Sequence, residues 1–248
     1  MKKIIFIFTS LFLLSGLNQA SALQIAPSPL IGPEFSKGDH KGRGEIAYIS
    51  YDEVYGGGIQ GVKRFALTDK FAVSPSLGLF HLTGDQTYTD DTAGKVEMDL
   101  DYSFITGGIR GEIQHKINPV NFIVFGGPLF HYGESESTTT SEVFQENDTV
   151  DSTDEGLGWE AGIQAALQTG PFTTTLFYRY EYLRVDTDND DASGNQIETD
   201  SDQTFTFKSS TLGIDLLFEN GMSLSALYGI PDDSDNDEIT MIKAGFTF

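Results

Sequence analysis

The stretch Trp159-Glu160-Ala161-Gly162-Ile163-Gln164-Ala165-Ala166-Leu167 sorts its residues by parity. Trp159, Ala161, Ile163, Ala165 and Leu167 form one apolar set, while Glu160, Gly162, Gln164 and Ala166 are polar or small. A period of two is the signature of a β-strand whose faces meet different surroundings. The pattern recurs at 174–182, where Thr174, Leu176, Tyr178, Tyr180 and Tyr182 alternate with a face bearing Arg179 and Glu181. It recurs again at 210–218, with Leu212, Ile214, Leu216 and Phe218 opposite Asp215. A soluble lipocalin-like barrel or β-sandwich would bury a face of Leu, Ile and Val. Here the more polar face carries charge, which suits an aqueous lumen with lipid on the other side.

Strand-length runs follow from about Gly44 onward, separated by breaks that are alternately short and long. The short ones, Thr68-Asp69-Lys70, Ile117-Asn118-Pro119, Thr169-Gly170-Pro171 and Glu219-Asn220-Gly221, are built from turn formers. The long ones, near 84–95, 134–155, 186–203 and 231–238, are polar. Short turns at one end and long loops at the other predict an all-β, antiparallel, up-and-down transmembrane barrel of about ten strands, with eight and twelve as alternatives. One strand shifts parity: Val96, Met98, Leu100, Tyr102 and Phe104 share a face, whereas Ile109 and Ile113 lie on the other. A β-bulge at Gly107-Gly108 is the expected cause. The runs at 45–52 and 57–67 do not reveal their faces.

Lys2 and Lys3, the apolar run Ile4 to Leu14 and the triplet Ala20-Ser21-Ala22 have the form of a secretory signal peptide over residues 1–22. The run is shorter than the roughly 20 apolar residues of a membrane-spanning helix. Leu17 stands where a lipoprotein signal needs Cys, and the chain contains no Cys. Removing 1–22 takes two lysines and no acid, moving the net charge from −22 to −24 and making a nucleic-acid partner untenable. Residues 23–43, with Pro27, Pro29 and Pro33, form a periplasmic lead-in, lying in the periplasm or entering the lumen and too short for a secreted passenger, leaving 44–248 as the barrel. The 19 Phe, 10 Tyr and 27 Gly beside modest aliphatic content suit a barrel with a polar interior and aromatic interfaces.

The chain closes with Ile239 to Phe248, in which Ile242, Ala244, Phe246 and Phe248 share a face and Lys243 points the other way. A final alternating strand ending in Phe resembles the assembly signal of bacterial outer-membrane β-barrels, with Phe246 and Phe248 in that role. With the export signal and loop asymmetry, the resemblance is to the small opacity-like or porin-like class of these barrels. It implies the outer membrane of a Gram-negative cell, contact with lipid and lipopolysaccharide, and engagement of the barrel-assembly machinery. A monomer is expected.

The three segments 134–155, 186–203 and 231–238 contain 8, 7 and 5 acids, 20 of the chain's 37, and no Lys or Arg. Carboxylates at that density suit loosely bound Ca²⁺ or Mg²⁺, with Asp186, Asp188, Asp190, Asp233, Asp235 and Asp237 as candidates. Neither series completes a Ca²⁺ loop: Asp191 stands where Gly is needed and Ile197 where the bidentate Glu belongs, and the second series breaks at Glu238. Leu79-Phe80-His81 and Leu129-Phe130-His131 read as interfacial girdle. In the lumen, Glu97, Asp99, Asp101, Arg110, Glu112, Glu160, Arg179, Glu181, Asp215 and Lys243 are expected to form an ion-pair network in which acids outnumber bases. An omptin-type protease would need an Asp two residues before a His, and His40, His81, His115 and His131 have Gly38, Leu79, Ile113 and Leu129 there. The expectation is a non-enzymatic surface barrel without a resident cofactor, its acidic loops facing the environment. The alternative is a narrow, weakly cation-selective channel.

Overall fold

In the computed structural model, ten strands alternate up and down, and the ladder returns on itself because β1 pairs with both β2 and β10. The structure describes residues 34–51, 53–90, 94–141, 147–191, 203–231 and 239–248. Residues 1–33, which hold the expected signal peptide and most of the expected lead-in, and Asp233, Asp235 and Asp237 lie outside them. The strands are β1 (His40–Tyr51), β2 (Val54–Ala66), β3 (Phe71–Asp90), β4 (Gly94–Ile117), β5 (Val120–Ser141), β6 (Asn147–Thr169), β7 (Phe172–Asp191), β8 (Gln203–Phe218), β9 (Met222–Pro231) and β10 (Ile239–Thr247). Neighbours pair antiparallel throughout. The four tight turns at 67–70, 118–119, 170–171 and 219–221 share one end with the start of β1 and the end of β10. Turn chemistry explains two of them: Gly170 and Gly221 take φ of 64° and 88°, a region costly for residues with a Cβ. Closure leaves no sheet edge within the membrane, the condition for crossing lipid with strands.

The parity seen at 159–167, 174–182 and 210–218 is the parity of the fold. Ile163, Leu176, Leu212 and Ile214 face outward and are 42–59% exposed, whereas Glu160, Gln164, Arg179, Glu181 and Asp215 are at most 3% exposed inside. Register assigns the faces that sequence left open: Ile46, Tyr48, Tyr55 and Ile59 point out, and Arg43, Glu45, Gln60 and Arg64 point in. Two aromatic girdles bound the apolar belt. Phe65, Phe71, Phe172, Phe218, Phe246 and Phe248 mark the short-turn side. Tyr48, Tyr55, Tyr132, Trp159, Tyr180, Tyr182 and Tyr228 mark the other. The Tyr and Trp side chains have an apolar body and a polar tip, as an interface requires.

Strand lengths are unequal. β10 has 9 residues and β9 has 10, close to what a tilted span needs, but β4 has 24, β6 23 and β5 22. At about 3.3 Å per residue β4 is roughly 80 Å long, against an apolar band about 25 Å tall. Strands β3 to β8 therefore rise beyond the belt as a wall on one side of the barrel. Much of what the sequence suggested as loop at 84–95, 134–155 and 186–203 is paired strand in this wall.

The expected bulge at Gly107-Gly108 does not form. Pairing of β4 with β3 runs without a skipped residue from Ile113↔Phe71 to Gly94↔Asp90. Parity is therefore conserved, and Glu97, Asp99 and Asp101 face outward with Ile109 and Ile113, not into the lumen. What changes along β4 is the solvent. Within the belt the outside is lipid and the lumen is charged. Above it the outside is water, and Val96, Met98, Leu100, Tyr102 and Phe104 turn inward into an apolar core.

Candidate functional site: an ion-paired lumen and an acidic outer wall

The lumen is stratified. At the short-turn mouth, Phe35 of the lead-in folds inside and is 1% exposed, packed with Ala66, Ala72 and Ile123. Gln114 holds it from both sides of the peptide: its Oε1 accepts from the Phe35 N–H at 3.1 Å and its Nε2 donates to the Phe35 carbonyl at 2.6 Å. The Arg64 guanidinium sits 5.0 Å from the Phe35 ring centroid. An apolar residue tied down by hydrogen bonds thus sits in the mouth.

Above the plug lies a charged band. Arg64 pairs with Glu112 at 2.6 Å, and Ser74 donates to the other Glu112 oxygen at 2.5 Å. Arg110 grips Glu160 with a two-pronged fork, Nε and Nη2 each 2.8 Å from a carboxylate oxygen, and stacks 4.5 Å from the Phe125 ring. Arg43 reaches Asp215, Glu45 and Ser225. Glu45 also receives Lys243 at 3.1 Å and the Gln60 amide. Arg179 lies 3.4 Å from Glu181, which accepts from Ser209 at 3.4 Å. The structure thus brings Glu160, Arg179, Glu181, Asp215 and Lys243 into one buried band with five partners from β1, β2 and β4. The bases Arg43, Arg64, Arg110, Arg179 and Lys243 face the acids Glu45, Glu112, Glu160, Glu181 and Asp215, five against five. Within the band the expected surplus of inward carboxylates is absent, because Glu97, Asp99 and Asp101 point outward and Arg43 and Arg64 had gone unassigned; Asp154 is a further buried acid above the band. Matched pairing is what burial demands, since an ion buried alone costs several kcal/mol.

A second apolar layer sits above the band, with Ile49, Phe80, Leu82, Phe104, Phe177, Leu227 and Met241 in one buried cluster. Inward glycines socket its rings: a Cβ on Gly58 or Gly78 would come within 2.3 or 2.5 Å of Phe80, and one on Gly213 within 2.1 Å of Phe177. Over this layer, buried Tyr102 reaches His131 Nε2 at 2.7 Å and Asp154 at 3.2 Å, and Thr187 donates to Asp154 at 2.6 Å. His131 is 3% exposed within the lumen, whereas His81 is exposed outside beside Ser103. The two Phe-His phrases therefore face opposite ways. The Tyr102–His131–Asp154 contact escaped the sequence search, since its members lie on three strands with no fixed spacing.

The outer surface of the wall holds the acids. Asp85, Glu97, Asp99, Asp101, Glu134, Glu136, Asp151, Glu155, Asp186 and Asp188 are exposed there, against Lys95, Arg184 and Lys208. Several acids oppose one another directly across ladders: Asp85↔Asp99, Asp101↔Glu136, Glu136↔Asp151 and Glu155↔Asp186. Such pairs disfavour the sheet unless counter-ions screen them. Asp186, Asp188 and Asp190 lie on β7, where alternate residues stand roughly 6–7 Å apart in a row. Asp186 accepts from Thr204 at 2.7 Å. Among the described residues no three His, Asp or Glu converge as a metal site. Phe246 and Phe248 lie in the lower girdle, and Phe248 closes the seam through two backbone bonds with Gly42, at 2.8 and 2.9 Å.

No family model and no curated protein sequence matches the chain. Among solved structures it is similar to a major outer-membrane protein of Thermus thermophilus, with TM-score 0.43 and 13% identity over 85% of this chain and 100% of that one. It is similar also to the translocator domain of the autotransporter NalP from Neisseria meningitidis, with TM-score 0.42 and 12% identity over 100% and 97%. An outer-membrane channel of Pseudomonas putida matches with TM-score 0.40 and 11% identity over 90% and 100%. A closed barrel of ten antiparallel strands with an apolar exterior, aromatic girdles and an ion-paired interior is an outer-membrane β-barrel, and the bacterial outer membrane is its location.

Proposed function

We propose that the chain is a closed, non-enzymatic surface barrel whose working element is the acidic outer wall. The observation that carries this is the separation of charge: the lumen's charged band sets five bases against five acids between apolar layers, while ten exposed acids against three bases line the wall. Its partners are polycationic or reached through divalent cations, with Ca²⁺ or Mg²⁺ held loosely between facing carboxylates and bridging to lipopolysaccharide phosphates. Phe246 and Phe248 serve recognition by the assembly machinery, and the barrel acts as a monomer. Replacing Glu97, Asp99, Asp101, Glu134 and Glu136 with the corresponding amides should leave the folded barrel intact and abolish Ca²⁺-dependent association with lipopolysaccharide. Undiminished association by the amide variant refutes the reading.

The narrow-channel alternative makes a separate demand, a continuous wet path. Phe35 below and the Phe80–Phe104–Phe177 layer above stand across that path, and the balanced band removes the reason to expect cation preference. Planar-bilayer recording of the inserted barrel tests it: silence is expected, and stable cation-selective steps altered by Asp215→Asn would establish the channel.

A further inference from the structure

The lipid-facing belt is depressed at one place over β1, β2 and β3. Gly44 and Gly61 pair directly across the β1–β2 ladder, and both lie at outward positions. Beside them the β2–β3 ladder lapses between Val62↔Ser76 and Phe65↔Val73, where Pro75 has no N–H to donate. The result is a groove of about 500 Å³ walled by Ile59, Pro75, Leu77 and Leu79, with Lys63 and Phe248 at its lower margin. That volume is within the roughly 300–1,000 Å³ of small-molecule sites. Packing does not require the two glycines, in contrast to Gly58 and Gly213. A Cβ at Gly44 would meet nothing within 4 Å, and one at Gly61 only the Arg43 carbonyl at 3.6 Å.

Lys63 is an independent observation. Among the described residues it is the one charged side chain on the outward faces of β1, β2, β3, β9 and β10 between Phe65 or Phe71 below and Tyr48 or Tyr55 above. Its ammonium lies 5.8 Å from the centroid of the Phe248 ring. A lysine on the lipid face is costly toward the midplane and is relieved near the headgroups, which its aliphatic stem can reach. Position 63 lies three residues before the end of β2 at Ala66, on the short-turn side.

We propose that the groove binds one glycerophospholipid of the leaflet on the short-turn side, an acyl chain over Gly44 and Gly61 and the phosphodiester on Lys63. The surroundings select this occupant: the groove opens onto lipid, is apolar along its length, and presents a single cation at the edge nearest the headgroups. The inference rests on the membrane-spanning reading and adds a defined ligand to it.

The test uses the full barrel inserted into vesicles of phosphatidylethanolamine and phosphatidylglycerol, extracted into detergent and weighed by native mass spectrometry. One retained phospholipid per barrel is expected. Gly44→Leu with Gly61→Leu should lower occupancy at least about ten-fold, and Lys63→Gln should lower it several-fold. Ala161→Leu, outside the groove, should change nothing. Should the leucine pair fail to fold, the alanine pair, which the space accommodates, and Lys63→Gln decide. A wild-type barrel that retains no lipid, or groove variants that retain as much as wild type, overturn the proposal. So does a dimer that the leucine pair abolishes, since the groove would then belong to a second copy. Failure to enter vesicles at all would instead overturn the membrane reading.

Discussion

Replacing Glu160 by Leu is the sharpest probe of the charged band. Glu160 is 2% exposed and accepts both prongs of the Arg110 fork at 2.8 Å. Charge-assisted bonds contribute about 1.5–3 kcal/mol each, and removing one member of a buried pair costs about 3–5 kcal/mol because the survivor stays buried and charged. Glu112 and Glu181 lie within electrostatic reach of Arg110, so the loss should fall near the lower bound, about 3 kcal/mol. Urea unfolding of the refolded barrel in detergent measures it, with the chain's single Trp as reporter, since Trp159 is the adjacent residue and faces lipid. The double variant Arg110→Met with Glu160→Leu removes both charges and should recover most of the loss, about 2 kcal/mol or more. The reasoning is refuted if Glu160→Leu costs no more than Glu155→Leu on the outer wall, or if the double variant is as unstable as the two single changes added together.

Phe35→Ala should loosen the lead-in, seen as faster proteolysis near 34–39, with a cost of up to about 3–5 kcal/mol if the plug folds with the barrel; the bilayer should stay silent, because the upper apolar layer remains. The wall should gain hydrogen-exchange protection at 97–101 as ionic strength rises, since salt screens facing carboxylates such as Asp101 and Glu136; protection that falls with salt would contradict this. A protease that cuts after acidic residues, applied to intact cells, should spare Glu97, Glu134, Glu136 and Glu155, whose backbones are paired in strands. Gly213→Ala should destabilise the barrel by roughly 1–3 kcal/mol through collision with Phe177, and Phe177→Leu should relieve much of it.

The lipid-facing half of the fold was legible because lipid tolerates one pattern. Trp159 to Leu167 and Leu212 to Phe218 could place only their apolar sets outward, and the charges left over had to be luminal. The upper half of β4 was not legible by the same rule, since water replaces lipid there and the polarity of the two faces exchanges without any shift of parity. Assuming one solvent along the whole strand puts Glu97, Asp99 and Asp101 inside and requires a bulge the backbone does not make. Of the lumen network, Glu160, Arg179, Glu181, Asp215 and Lys243 stood out as lone charges in apolar runs. Arg43 and Arg64 did not, because the glycines of β1 and β2 blur the alternation. Which base meets which acid is fixed by register between strands far apart in sequence, such as Arg43 with Asp215, 172 residues away.

The exchange of polarity along β4 also makes its alignment self-checking. A slip of one residue against β3 or β5 would carry Arg110 and Glu112 into lipid, at about 2–4 kcal/mol for the arginine near the midplane and less for the glutamate, and would push Ile109 and Ile113 among the lumen's ions. The same slip would turn Met98, Leu100 and Tyr102 out to water and bury Glu97, Asp99 and Asp101. A strand in a single solvent can hide part of such an error by letting its far end fray. Here both ends of β4 penalise the same displacement, so neither half can accommodate a mistake at the expense of the other.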